Sequence, residues 1–178
     1  MKKIHLFSVV ASLVLGTTSC ASSKIDTNTV PNVDLTRYMG KWYEIGRFDV
    51  AFEKGLVGTT ANYTLNADGT VKVINAGYKE SLTGEATSAE GKARVRKSGK
   101  PGELEVAFFL NFYAEYNILE LDTIDYSYAV VGSSSDKYLW ILSRTPKMDT
   151  DVLNGLLQKI ATRGYNTTKI LWVDQPNE

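Results

Sequence analysis

The chain is nearly free of the side chains on which much protein chemistry depends. Its 178 residues hold one histidine, His5, one cysteine, Cys20, and four prolines. Both His5 and Cys20 fall within the first twenty residues, so everything beyond lacks imidazole and thiol. That excludes a Ser-His-Asp triad, a cysteine nucleophile and the common histidine or cysteine zinc sites. A single cysteine cannot close an internal disulfide. No glycine loop of phosphate-cradling type is present, and Gly-Lys-Pro-Gly at 99–102 reads as a turn. For catalysis there remain carboxylates such as Glu44, Glu105, Glu115 and Glu120, and acids scattered along strands mostly face solvent. Neither sign of charge is in excess, with 20 basic and 20 acidic residues. With 43% hydrophobic and 22% charged residues, the composition is that of one ordinary globular domain.

The first nineteen residues read as a targeting segment. Lys2 and Lys3 precede the apolar run 4–16, which is too short to span a bilayer as a helix. Thr17, Thr18, Ser19 and Cys20 then resemble a bacterial lipoprotein processing site, with Thr17 where leucine is usual. The resemblance implies that Cys20 becomes a lipidated first residue; a plain secretory signal with an incidental cysteine is the alternative. Removing residues 1–19 leaves 18 basic and 20 acidic residues, a balance that does not attract nucleic acid. Ala21 and Ser22, rather than an acidic residue, follow Cys20, which favours the outer membrane as the destination within the cell envelope. Residues 20–32 are polar without apolar periodicity and read as a flexible tether to a domain at 33–178.

From residue 41 the chain offers short runs rich in Val, Ile, Tyr, Phe and Thr, separated by turn residues. Residues 59–65 and 70–78 flank Asn66-Ala67-Asp68-Gly69, a strong hairpin signal. Counting 41–48 as the first, about eight strands are predicted. One long helical pattern follows Pro146: Val152, Leu153, Leu156, Leu157 and Ile160 share a face, with Asp149 or Thr150 as N-cap and Gly164 as the stop. A short strand at 169–173 comes last. The fold class is all-β: an eight-stranded antiparallel up-and-down barrel with a C-terminal helix packed on its flank.

Three stretches, Gly40-Lys-Trp-Tyr-Glu-Ile-Gly-Arg-Phe48, 122–132 and Tyr138-Leu-Trp-Ile-Leu-Ser-Arg-Thr-Pro146, resemble in order the three signature regions of the lipocalins. The bacterial outer-membrane branch and apolipoprotein D share further wording with this chain, and the resemblance covers roughly residues 33–176. Ile124 departs from the threonine usual before Asp-Tyr. The resemblance implies that Trp42 closes the barrel floor with Arg144 across its ring, both as structural residues. A guanidinium over an indole gains about 0.5–2 kcal/mol.

With Trp42 inward, alternation carries Glu44, Gly46 and Phe48 inward, and Arg144 does the same for Leu142 and Trp140. Resemblance to apolipoprotein D points Tyr63 and Asn75 inward, and alternation adds Thr59, Ala61, Val73 and Gly77. Val106, Phe108, Tyr116, Ile118 and Tyr128 complete the expected lining. A barrel of this size either holds one small ligand or is filled by its own side chains. Gly46, Ala61 and Gly77 argue for space, and Trp140 and Tyr63 for filling. Apolar residues in expected loops, Phe48, Phe52, Leu56, Leu110, Phe112 and Tyr113, suggest a contact surface at the rim.

The resemblance implies a lipid-anchored outer-membrane protein that binds fatty acids or lysophospholipids without turnover or cofactor, in membrane maintenance or lipid transport. Its expected partners are the hydrophobic ligand, the membrane through the anchor, and a second copy of the chain in a homodimer. The alternatives are a lipid-modifying enzyme on the same barrel and a filled barrel that acts through an envelope partner.

Overall fold

The computed structural model describes residues 25–177. The predicted signal at 1–19, Cys20 and the first residues of the tether lie outside the described residues. The described chain opens on α1 (Leu35–Tyr38) and runs through β1 (Gly40–Arg47), β2 (Leu56–Leu65), β3 (Val71–Lys79), β4 (Ala86–Val95) and β5 (Glu103–Ala107). There follow β6 (Ala114–Leu121), β7 (Tyr128–Gly132), β8 (Leu139–Ser143), α2 (Thr150–Thr162) and the two-residue β9 (Leu171–Trp172). Each strand from β1 to β8 pairs antiparallel with the next, and β8 pairs with β1. The ring therefore closes. β9 adds to β1 where β1 and β2 part, above Tyr43 and Thr60.

Local chemistry explains the elements. Between β2 and β3, Gly69 N–H donates to Asn66 O at 3.0 Å and the Asp68 carboxylate accepts from Thr70 N at 2.9 Å, pinning the tight turn. Asp149 caps α2 by accepting from Asp151 N and Val152 N, and Gly164 ends it with φ +92°. α1 is a single turn capped by Asp34, whose side chain accepts from Thr36 N and Arg37 N.

Residues 25–32 differ from the flexible tether expected of them. Asp26 N–H donates to Arg163 O at 2.9 Å and Val30 N–H to Ile118 O at 3.0 Å. Ile25 packs beside the helix and Val30 under the barrel. Two isolated apolar residues show no periodicity in sequence, yet each finds a hydrophobic site.

The apolar side chains divide between two cores. One fills the barrel interior, around Trp42, Tyr63, Val73, Ile118 and Leu142. The other lies between the barrel wall and α2, where Leu156 and Ile160 meet Leu119, Val130, Leu139 and Ile141. The second core explains why strands β7 and β8 are apolar on both faces, as a wall covered from outside must be.

Candidate functional site: a cup with a closed floor and an open mouth

Because β1 starts at α1 and climbs, the barrel has a distinct floor and mouth. At the floor Trp42 is fully buried, and its indole N–H donates to Tyr38 O at 2.9 Å. The Arg144 guanidinium lies 3.8 Å from the Trp42 ring centroid and donates to the carbonyls of Lys41, Arg37 and Tyr126 at 2.9, 2.8 and 3.2 Å. One side chain thus ties α1, β1 and the β6–β7 loop together. Above them the Tyr116 hydroxyl stands 2.8 Å from those of both Tyr38 and Tyr63. Burial pushes all three phenols above their ordinary range, so they stay neutral and serve as a hydrogen-bonded stack. The space left among Tyr38, Met39, Tyr63, Val71, Ala93, Leu104, Val106 and Tyr116 is about 10 Å³, no more than one water could use. The lower half is filled.

The upper half differs. Trp42, Ala61, Asn75 and Ala89 lie opposite one another across β1 to β4 and all face inward. Ala89, on the unpaired side of β4, is exposed and Asn75 is half-buried, whereas Val73 below them is buried. β5 ends at Ala107 and pairs only with residues 92–95 of β4, which leaves the upper part of β4 unpaired on that side. Phe108, one residue past β5, lies over the inward face of Gly91: a Cβ there would come within 2.7 Å of its ring.

Most residues expected to line the cup do face inward: Glu44, Thr59, Ala61, Tyr63, Val73, Asn75, Val106, Phe108, Tyr116, Ile118, Trp140 and Leu142. They separate by height. Tyr63, Val73, Val106, Tyr116, Ile118 and Leu142 belong to the packed lower core, whereas Asn75 and Trp140 stand in the upper half.

Four expectations need correction. The β1–β8 register shifts between Glu44 and Gly46, a bulge that makes Ile45 the extra residue. Alternation reverses beyond it. Gly46 faces outward, where a Cβ would come within 2.9 Å of Ile170 and 3.1 Å of Trp172; glycine is needed for the C-terminal segment to approach. Phe48, 3% exposed, belongs to the flank core beside Tyr165. Tyr128 packs against that same flank core, not the interior. Gly77 does face inward, but the room it leaves is taken by its neighbour, since a Cβ would lie 2.9 Å from Thr59 Cγ2.

The bulge also turns Arg47 inward, opposite Trp140. Arg47 is 5% exposed, and its Nη2 donates to the carbonyls of Glu53 and Leu56 at 2.8 and 3.1 Å. Its Nη1 lies 3.4 Å from Glu44 Oε1 and its Nε 3.6 Å from Glu53 Oε2. Glu53 comes from a 3₁₀ turn at Ala51–Glu53 over the mouth and accepts from Trp140 Nε1 at 3.0 Å. Burial, with the Glu53 carboxylate adding to it, pushes the Glu44 carboxyl from 4.5 up to about 8 despite Arg47. Burial raises Glu53 as well, against the hydrogen bond from Trp140 and the nearby charge of Arg47. Sequence alone held one signal for this cluster: Ile45 and Phe48, both apolar, lie three apart and cannot share one face of a regular strand.

The rim is apolar. Phe109, Leu110 and Phe112 are 70%, 69% and 75% exposed, and the Phe109 and Phe112 rings stack at 6.3 Å. Phe52 and Tyr138 flank Trp140 on the opposite side of the mouth. A concavity of about 320 Å³ lies on the outer wall, between Tyr43, Thr60, Tyr78 and Gln175. Among the described residues there is no grouping of His, Cys, Asp and Glu able to hold a metal, and no helix long and apolar enough to cross a membrane.

A closed antiparallel barrel, sealed at one end by a Trp-Arg pair and open at the other, defines a class of cup-shaped proteins. The family model described as a lipocalin-like domain matches residues 33–175, and the chain belongs to that family, the lipocalins. It is 38% identical over 170 residues to the outer membrane lipoprotein Blc of Vibrio cholerae, covering 96% of this chain and 98% of that protein. It is 43% identical over 147 residues to the protein of the same name from Escherichia coli K12, covering 83% and 82%. Apolipoprotein D of Rattus norvegicus is 35% identical over 154 residues, covering 82% and 79%. Among solved structures, insecticyanin of the tobacco hornworm superposes with a TM-score of 0.70 at 20% identity, covering 85% and 86%, a likeness of fold.

Proposed function

We propose that this chain is a lipid-anchored envelope lipocalin that captures single-chain amphiphiles, fatty acids or lysophospholipids, without chemical turnover. One observation carries the reading: Ala89 and Asn75 face inward in the upper cup and are less buried than Val73 below them, above a floor with no room to spare. Relatives named outer membrane lipoproteins support Cys20 as the anchored residue, residues 1–19 as the signal removed before it, and the outer membrane as the site. Asn75, Phe108 and Trp140 would contact the ligand in the open half, while Ala61, Tyr63, Val73, Tyr116 and Leu142 form the platform below it.

Affinity would come from taking the acyl chain out of water, at about 0.8 kcal/mol per methylene buried. The exposed rim of Phe109, Leu110 and Phe112 would meet the bilayer and collect chains from it, in lipid transport or membrane maintenance. A homodimer through this rim is the other use of the same surface, and sedimentation with and without ligand separates the two. The test of capture is native mass spectrometry of the Cys20→Ser chain with palmitate and with a palmitoyl lysophospholipid. A one-to-one adduct supports the reading. A bare mass throughout contradicts it and favours a barrel that works through its surface; fatty acid released from the lysophospholipid would instead make the chain an enzyme.

A further inference from the structure

We propose that Arg47 is the receptor for an anionic head group, a carboxylate, and that Glu53 stands in for that head group until a ligand displaces it. The inference rests on the capture reading above and names the chemistry its polar end would take.

The argument starts from an incomplete set of hydrogen bonds. Arg47 is buried, and Nη2 is committed to two backbone carbonyls, which fixes the plane of the guanidinium. Among the described residues Nε is buried with no hydrogen-bond partner. The carboxylate oxygen that faces it, Glu53 Oε2, is 3.6 Å away, beyond hydrogen-bond reach. A buried guanidinium N–H without an acceptor is unfavourable, and a charge-assisted bond to a carboxylate is the strongest way to satisfy it.

Glu53 holds this place imperfectly because of where it comes from. It does not project from the barrel wall but hangs from the Ala51–Glu53 turn, with its backbone carbonyl held by Arg47 Nη2 and its carboxylate by Trp140 Nε1 at 3.0 Å. Those two bonds position Oε2 well for the indole and poorly for Nε. A free carboxylate entering from the mouth carries no such restraint. It can accept from Nε and from the Trp140 indole together, in the place Glu53 occupies, with its chain running down the open half of the cup. Glu44, whose burial and whose neighbour Glu53 keep it protonated at neutral pH, adds no second anion to oppose it. Phe52, in the same turn and stacked on Trp140 at 6.5 Å between centroids, would move when Glu53 is released. Capture is thereby coupled to opening of the turn at the mouth.

The experiment compares two ligands of equal chain length, dodecanoate and dodecanol, on the Cys20→Ser chain and on its Glu53→Gln variant at pH 7. Glutamine keeps the length and an acceptor for Trp140 but removes the competing charge. The expected result is that dodecanoate binds the variant about tenfold more tightly than the parent, while dodecanol changes by less than about twofold. Binding of both ligands with an unmoved dodecanoate-to-dodecanol ratio overturns the head-group assignment alone. Failure of both ligands to bind the parent and the variant overturns the capture reading together with it. Should Glu53→Gln not fold, Glu53→Asp, which withdraws the carboxylate from Trp140 by one methylene, gives the same comparison: a raised ratio supports the assignment and an unmoved one overturns it.

Discussion

At the floor of the barrel Tyr38, Trp42, Tyr63 and Tyr116 are packed against one another, and each of their polar atoms has a protein partner. At the mouth Phe109 and Phe112 stack in solvent, and just inside it Arg47 Nε and Asn75 Oδ1 are buried without a partner among the described residues. The same kinds of residue thus serve opposite ends. Where aromatics are enclosed and satisfied they close the structure and keep it rigid; where apolar surface is exposed beside unmet polar atoms, the protein is left to be completed by something else. In this chain the fully satisfied packing lies below Val73, and the capture reading assigns reception to the half above it.

Mutations can separate the two halves. Trp42→Ala should have the largest effect, about 3–5 kcal/mol of stability lost in a denaturant titration, because it empties the floor beneath Arg144. Phe48→Ala should cost about 3 kcal/mol while leaving the ratio of dodecanoate to dodecanol binding unchanged, since Phe48 packs between wall and helix. A change in that ratio would return Phe48 to the cup. Glu44→Gln should alter the pH dependence of stability. A carboxyl whose folded value is raised to about 8 favours the folded state below its ordinary 4.5 and loses that contribution as pH climbs from 4.5 through 8. The variant's melting temperature should therefore gain on the parent's between pH 5 and pH 8, and parallel profiles would contradict the burial argument. Smallest is Phe112→Ser, expected within about 0.5 kcal/mol of the parent in stability but slower in taking ligand from vesicles. Equal transfer rates would remove the rim from the account.

How much of this was legible in the sequence depends on the period of each element. Strands alternate with period two and turns carry Gly, Asp and Asn, so the barrel, the hairpin at 66–69 and the Asp149-capped helix could be read directly. The Trp42 and Arg144 floor came from resemblance to the lipocalins, and the 3.8 Å ring contact has the expected form. Alternation has no memory of an inserted residue, and this is why Gly46 and Phe48 were placed on the wrong side of β1. A bulge at Ile45 reverses every side chain after it and turns Arg47 into the cup. Glu53 was beyond reach for another reason: its position depends on how a turn folds over the mouth, which no local pattern specifies. The docking of Ile25 and Val30 is not legible in the sequence, because contact through two isolated apolar side chains leaves no periodic trace.

The central claim is that ligand enters the open half and stops at the aromatic floor. Three tryptophans report on it: Trp140 in the upper cup, Trp42 at the floor and Trp172 on the outer surface. The direct measurement is quenching of tryptophan emission by a fatty acid brominated on its chain, in the parent and in Trp140→Phe, with each complex confirmed by its mass. The account predicts that the parent is quenched and that Trp140→Phe, still binding, is not. Quenching that persists in Trp140→Phe would place the chain against Trp42 or outside the barrel, and would contradict a floor that stays closed.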